Sequence, residues 1–192
     1  MATVPAAAAT AERRIPPLLF GTVLFLVSEL IFFGSLFAAY FALRAQTDRW
    51  PPEGVELELL IPTVGTILLV LSSVTFQLGV IAAERDRVGG LRAWTAASLL
   101  LGAVFIGLQL SDYAQLDFAV SSHAYGTIFY AMTGFHGLHV AAGLALMLVI
   151  LGRIAQGAYR GGRVESVHAI GYYWHFVDVV WIALFTTLYL LR

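Results

Sequence analysis

The stretch GYYWHFVDVVWIALF, residues 171–185, decides the fold. It is apolar and aromatic enough to lie inside a bilayer, yet it carries His175 and Asp178 three residues apart. At 100° per residue, Gly171, Trp174, Asp178, Trp181 and Phe185 fall on one stripe of a helix, with His175 at its edge. A helix with that stripe is expected to bury it. An ionisable group at the centre of a membrane span costs about 2.5 to 3.5 kcal/mol on insertion scales, so both residues are expected to face protein, water or a partner rather than lipid.

Working outward, four more apolar runs of comparable length precede this one. The spans fall at about 15–43, 60–83, 91–111, 125–151 and 168–191, each long enough to cross the roughly 30 Å hydrocarbon core as a helix. The segments between them hold the turn-forming glycines, most of the charges and Pro51-Pro52, which cannot continue a helix. With 59% hydrophobic and 12% charged residues in 192, the chain reads as an all-α integral membrane bundle. Residues 1–14 are expected to form a flexible cytoplasmic arm, and 15–192 a single transmembrane domain. The first run exceeds the 7–15 residues of a signal-peptide core and contains Glu29, so it is expected to stay in the membrane.

All eleven basic residues are arginines, and their placement sets the orientation. With the N-terminus in the cytoplasm, Arg13, Arg14, Arg85, Arg87, Arg92, Arg153, Arg160 and Arg163 lie inside, against Arg44, Arg49 and Arg192 outside. The bias favours a cytoplasmic N-terminus and an external C-terminus. A net charge of -1 gives no basic surface for nucleic acid. The absence of cysteine removes disulfides, thiolate ligands and covalent haem attachment. No internal repeat is visible, which argues against a transporter of two inverted halves. Trp50, Trp94 and Tyr113 lie near span ends, where aromatic rings favour the headgroup level, although interior helix contacts would explain any one of them equally well.

The polar residues at membrane depth form the informative set: Glu29 in the first span, His136 and His139 in the fourth, and His175 and Asp178 in the fifth. Thr22, Phe25, Glu29, Phe33, Leu36 and Tyr40 align, making Glu29 the lone acid of an aromatic stripe. On the fourth span Met132, His136, His139 and Gly143 share a face, while Gly134, Gly137, Ala141 and Ala145 form a small-residue stripe suited to close helix approach. Three readings stay open on spacing alone. The His-x-x-His and His-x-x-Asp pairs, with Glu29, could supply N and O ligands to a metal in a stand-alone membrane enzyme. Glu29 could handle protons, as intramembrane carboxylates often do. Or each group could lock the bundle through an interhelical hydrogen bond. The last is favoured for His136, His139, His175 and Asp178, and of the five Glu29 is the strongest candidate for proton handling. Gln77, Gln109 and Asp112 are left outside the site, Asp112 because water is expected to reach it at the outer boundary.

The order of four motifs then narrows the choice: SELIFFGSLFAAYFALR (28–44), WPP (50–52), TGFHGLHVAAG (133–143) and YYWHFVDVVWIALF (172–185). Together they resemble subunit III of the haem-copper oxidases in its short five-helix form, most like the actinobacterial-type cytochrome c oxidase. The resemblance covers nearly everything after the arm. It implies a bacterial plasma-membrane subunit without catalytic residues or metal of its own, haem and copper being in partner subunits. It further implies direct contact with subunit I, association with subunit II and further subunits, a possible cytochrome bc supercomplex, and phospholipid held in a cleft. The complex would reduce oxygen to water and pump protons; this subunit would support proton uptake and oxygen access. Glu29 matches the family's intramembrane glutamate, and His136, His139, His175 and Asp178 match structural signature positions. Arg44, Trp174, His168 and Glu165 are the lipid or cleft candidates. His168 stands where many members carry an acid, the nearest acid here being Glu165. A quinol oxidase subunit III and the accessory subunit of nitric oxide reductase share the same helices and are the alternatives within the family.

Overall fold

The computed structural model describes residues 16–159, 161 and 164–191, so the expected arm 1–14 and the arginines at 160, 163 and 192 lie outside the described residues. Five helices follow the five apolar runs: α1 Pro17–Ala45, α2 Leu60–Glu84, α3 Val88–Tyr113, α4 Ala124–Ala155 and α5 Glu165–Phe185. Each is long and apolar enough to cross a membrane, and no strand occurs among the described residues. Helix is the natural outcome, because inside hydrocarbon every backbone N–H and C=O needs a partner within its own segment.

Local chemistry sets the ends. Pro17 opens α1 at a position whose missing N–H would have had no helical partner. Asp86, at φ 55°, turns α2 back into α3, and the Arg87 N–H closes the turn on the Ala82 carbonyl at 2.9 Å. At the start of α4 the His123 Nδ1 accepts the Gly126 N–H at 2.8 Å, a cap normally supplied by a hydroxyl or carboxylate.

Helix α5 is the central element. It packs against α1, α2 and α4, while α2 and α3 form a tight hairpin and α4 bridges α3 to α1. Burial follows that plan: 56% of α5's apolar window lies inside the chain against 6% for α1, so α1 is a peripheral helix. The expected α5 stripe is buried at Gly171, Trp174, Asp178 and Trp181. Trp174, 1% exposed, lies over Gly102 of α3 and Gly143 of α4 and donates its Nε1–H to Ser72 Oγ of α2 at 3.1 Å. A Cβ at Gly143 would sit 2.5 Å from that ring, so glycine is required there by close approach. Trp181 repeats the pattern two turns further along α5, donating to Thr66 Oγ1 at 2.9 Å and meeting Phe105 edge-on at 4.8 Å.

Two expectations are corrected and one open choice is resolved. The stripe Gly134, Gly137, Ala141 and Ala145 makes no tight helix contact at its glycines: a Cβ at Gly134 or Gly137 would meet nothing within 4 Å, and the close approach is made at Gly143 instead. Of the two readings open for the span-end aromatics, Trp50 and Tyr113 follow interior contact. Trp50 stands edge-on to Tyr40 and Tyr125, and Tyr113 hydrogen-bonds Thr133 at 2.6 Å; only Trp94 of the three is exposed. Asp112 is not water-reached. It is 5% exposed, and its Oδ2 accepts the Tyr189 hydroxyl at 3.1 Å.

Beyond α5 the chain makes a π-helical turn, Thr186–Leu190. There the Leu191 N–H bonds the Thr186 carbonyl at 2.9 Å, one residue further back than in an α-helix, which frees the Thr187 carbonyl. The Tyr40 hydroxyl donates to that carbonyl at 3.2 Å, and Arg44 donates to the Leu191 carbonyl at 2.6 Å. The C-terminal end of α1 therefore clasps the turn that follows α5. Arg44→Leu is expected to raise amide exchange over residues 187–191 by about tenfold, the loss of one charge-assisted hydrogen bond. Mass-spectrometric hydrogen exchange in detergent reads it.

Candidate functional site

Glu29 lies roughly 18 Å along α1 from Pro17, near mid-membrane depth. Its Oε2 is 2.9 Å from the Nε2 of His139 on α4, and the two side chains retain 18% and 17% exposure. Aromatic rings enclose the pair: Phe33 lies edge-on to His139 at 5.1 Å, while Phe32 at 6.4 Å and Tyr173 at 6.5 Å lie nearly parallel to it. The Tyr173 hydroxyl also donates to the His139 backbone carbonyl at 2.9 Å, fixing α4 against α5.

The other imidazole nitrogen settles the proton inventory. His139 Nδ1 is 2.7 Å from the Phe135 carbonyl, which only accepts, so Nδ1 carries a hydrogen. One further proton then lies between Nε2 and Glu29. It sits on nitrogen as an imidazolium–carboxylate ion pair, or on oxygen as a neutral acid donating to a neutral ring. The arrangement can hold and release one proton without moving a helix. Both residues were expected to matter, but as separate elements; the structure joins them.

His175 and Asp178 do not pair with each other. His175 turns to α2, with Nδ1 2.7 Å from Ser73 Oγ and Nε2 3.0 Å from Gln77 Oε1. Ser73 also hydrogen-bonds the Asp178 carboxyl. The expected polar lock therefore exists, but its keystone is Ser73, which spacing within α5 cannot reveal; the available signal was that Ser73 and Gln77 lie one turn apart on α2. Since one hydroxyl joins both partners, Ser73→Ala should destabilise the chain by about 1 to 3 kcal/mol, and Asp178→Asn, which keeps volume and a bond, by less. Thermal unfolding of the two variants in the same detergent orders them.

His136 behaves differently from the lock expected of it. It is fully buried, stacked on Trp181 at 4.9 Å and edge-on to Phe105, and both its ring nitrogens lack a partner among the described residues, as does Asp178 Oδ1. The metal reading finds no convergence: His139 faces Glu29, His175 faces Ser73 and Gln77, and no group of three or more His, Cys, Asp or Glu set to hold a metal occurs among the described residues.

The four lipid or cleft candidates separate. Trp174, contrary to its assignment, is buried between helices and presents no surface to lipid, and Arg44 is engaged at the C-terminal clasp. Glu165 lines a polar cavity of about 840 Å³ with Arg153, Tyr159 and Ser166. That cavity shares Leu18 with an apolar groove of about 740 Å³ between α1, α4 and α5, walled by Phe25, Leu146, Ile170 and Tyr173. His168 lies elsewhere, 3.4 Å from Glu84 across the α2–α5 surface. Arg153, its guanidinium 5.6 Å above the Tyr159 ring, was missed as a site residue. Its signal was position, a lone cation closing the last turn of an apolar helix.

The family model described as cytochrome c oxidase subunit III matches residues 10–192. The chain is 47% identical over 176 residues to the probable cytochrome c oxidase subunit 3 of Nocardia farcinica, covering 90% of this chain and 87% of that one. It is 44% identical over 172 residues to the cytochrome c oxidase subunit 3 of Thermostichus vulcanus, covering 89% and 86%. Similarity to the corresponding probable subunit of Mycobacterium leprae is 46% over 176 residues, with 90% and 87% covered.

Proposed function

The chain belongs to the cytochrome c oxidase subunit III family, and from that premise we propose that it is a non-redox subunit of a bacterial respiratory oxidase. It is a multi-pass plasma-membrane protein of five helices. In the proposed assembly it lies with its N-terminus in the cytoplasm, packs directly on subunit I, and associates with subunit II and further subunits. A cytochrome bc complex is a further neighbour in a supercomplex. Haem and copper, which supply the oxygen chemistry, belong to the partners.

The observation that carries the functional reading is the Glu29–His139 pair: one exchangeable proton, held in a thinly covered aromatic niche on the most peripheral helix. We assign the pair the role of a proton-holding site that supports uptake by the complex. Phospholipid is proposed to fill the groove between α1, α4 and α5, acyl chain against Phe25 and Leu146, phosphate toward Arg153. Contiguity of a large apolar groove with a cavity bearing a cation suits an anionic amphiphile. Arg153→Gln is expected to lower phospholipid retained through purification, read as phosphorus per chain.

Purifying the tagged native chain in mild detergent and identifying its companions tests the function. A haem-bearing catalytic subunit in stoichiometric amount is expected. Recovery free of any haem-bearing subunit would overturn the proposal.

A further inference from the structure

A second polar feature lies away from the Glu29–His139 pair, on the α2–α5 surface. Three rungs cross from helix to helix: Glu84 with His168 at 3.4 Å, Gln77 with His175 at 3.0 Å, and Ser73 with both His175, at 2.7 Å, and Asp178. The first two rungs are seven residues apart on each helix, about 10.5 Å of rise. Between them opens a cavity of about 250 Å³ lined by Gln77, Glu84, His168, Tyr172 and His175, with Val80 and Gly171 as its apolar walls.

Lipid is a poor filler for this space, because it would leave the Gln77 amide and the Glu84 and His168 side chains against hydrocarbon. Water fits, with polar partners at the Glu84–His168 end and at the Gln77–His175 end. The inner rungs also tolerate a change of proton. Ser73 has one O–H; when it donates to Asp178, His175 Nδ1 donates to Ser73, and Nε2 is left facing the Gln77 amide. That amide serves an imidazolium through its oxygen and a neutral ring, after a flip, through its NH2.

We infer that the α2–α5 crease is a water-filled inlet, open at the Glu84 end, through which His175 and Asp178 exchange protons with the aqueous phase. The groups facing it are Gln77 and Glu84 from α2 and His168, Tyr172 and His175 from α5, with Asp178 buried behind His175 and reached through Ser73, and Glu165 one turn beyond the mouth. It does not rest on the oxidase assignment, and its tests read water and proton access only.

The first test uses the unaltered complex. Exchange of the imidazole C2 hydrogen for deuterium needs a protonated ring and attack by deuteroxide, so it reports both proton and water access, histidine by histidine, by mass spectrometry. His175 is expected to exchange within about threefold of His168 at the mouth, while His136, sealed between Trp181 and Phe105, lags both by more than about tenfold. A His175 as slow as His136 overturns the inlet. The second test exploits the absence of cysteine from this chain. In membranes holding the complex, Tyr172→Cys, which touches none of the rungs, is expected to react with a charged, impermeant methanethiosulfonate about tenfold faster than Leu78→Cys, because only a hydrated thiol ionises to the reactive thiolate. Equal, slow labelling at both positions contradicts it.

Discussion

Trp174→Ala is expected to cost about 3 to 5 kcal/mol of stability, the largest structural effect of any single substitution in this chain. The ring is 1% exposed and fills the junction where α3 and α4 present only glycine hydrogens, at Gly102 and Gly143. Removing it opens a cavity shared by three helices and strips Ser72 of its indole donor. The converse change, Gly143→Ala, drives a methyl to 2.5 Å from the ring and is expected to cost about 1 to 3 kcal/mol or more by overpacking. Because both act on one contact, the double variant should be less destabilised than the sum of the singles. Thermal unfolding of the four proteins in one detergent gives the cycle; strict additivity would show that the ring and the glycine are not partners.

The five spans were legible in the sequence because lipid leaves the backbone one solution, and an apolar run of sufficient length already specifies it. The α5 stripe was legible too, since one face of an isolated helix follows from its period. What period cannot give is the neighbour. Glu29 and His139 are 110 positions apart, and nothing in either helix says that α1 lies against α4. Likewise the period separates Gly134 and Gly143 onto different faces of α4, but only the position of Trp174 makes the second a close contact and leaves the first open. His175 and Asp178 looked like a pair because they are close in sequence. Across the interface, Ser73 outcompetes that proximity for both. Asp112 was misplaced for a related reason, since its depth depends on the π-turned C-terminus that brings Tyr189 over it.

The largest functional effect is expected at Glu29. Glutamine there can still donate to a neutral His139 Nε2, keeping the α1–α4 bond, but it has no acidic proton to release. Alanine loses both bond and proton, and leaves a thinly covered imidazole nitrogen at a cost of about 1 to 3 kcal/mol. Both variants should assemble, the glutamine form with near-native stability. Both should slow sustained proton uptake by about tenfold, equivalent to about 1.4 kcal/mol in the barrier. Comparing the two variants separates proton handling from packing, since packing alone would spare glutamine.

The central claim is that this family member contributes a proton-holding pair rather than a redox centre, and sustained proton uptake by the purified complex carrying Glu29→Gln tests it most directly. The expected result is wild-type haem content and subunit composition with uptake reduced about tenfold. Wild-type uptake in a fully assembled Glu29→Gln complex would contradict it and leave Glu29 and His139 as a helix contact only.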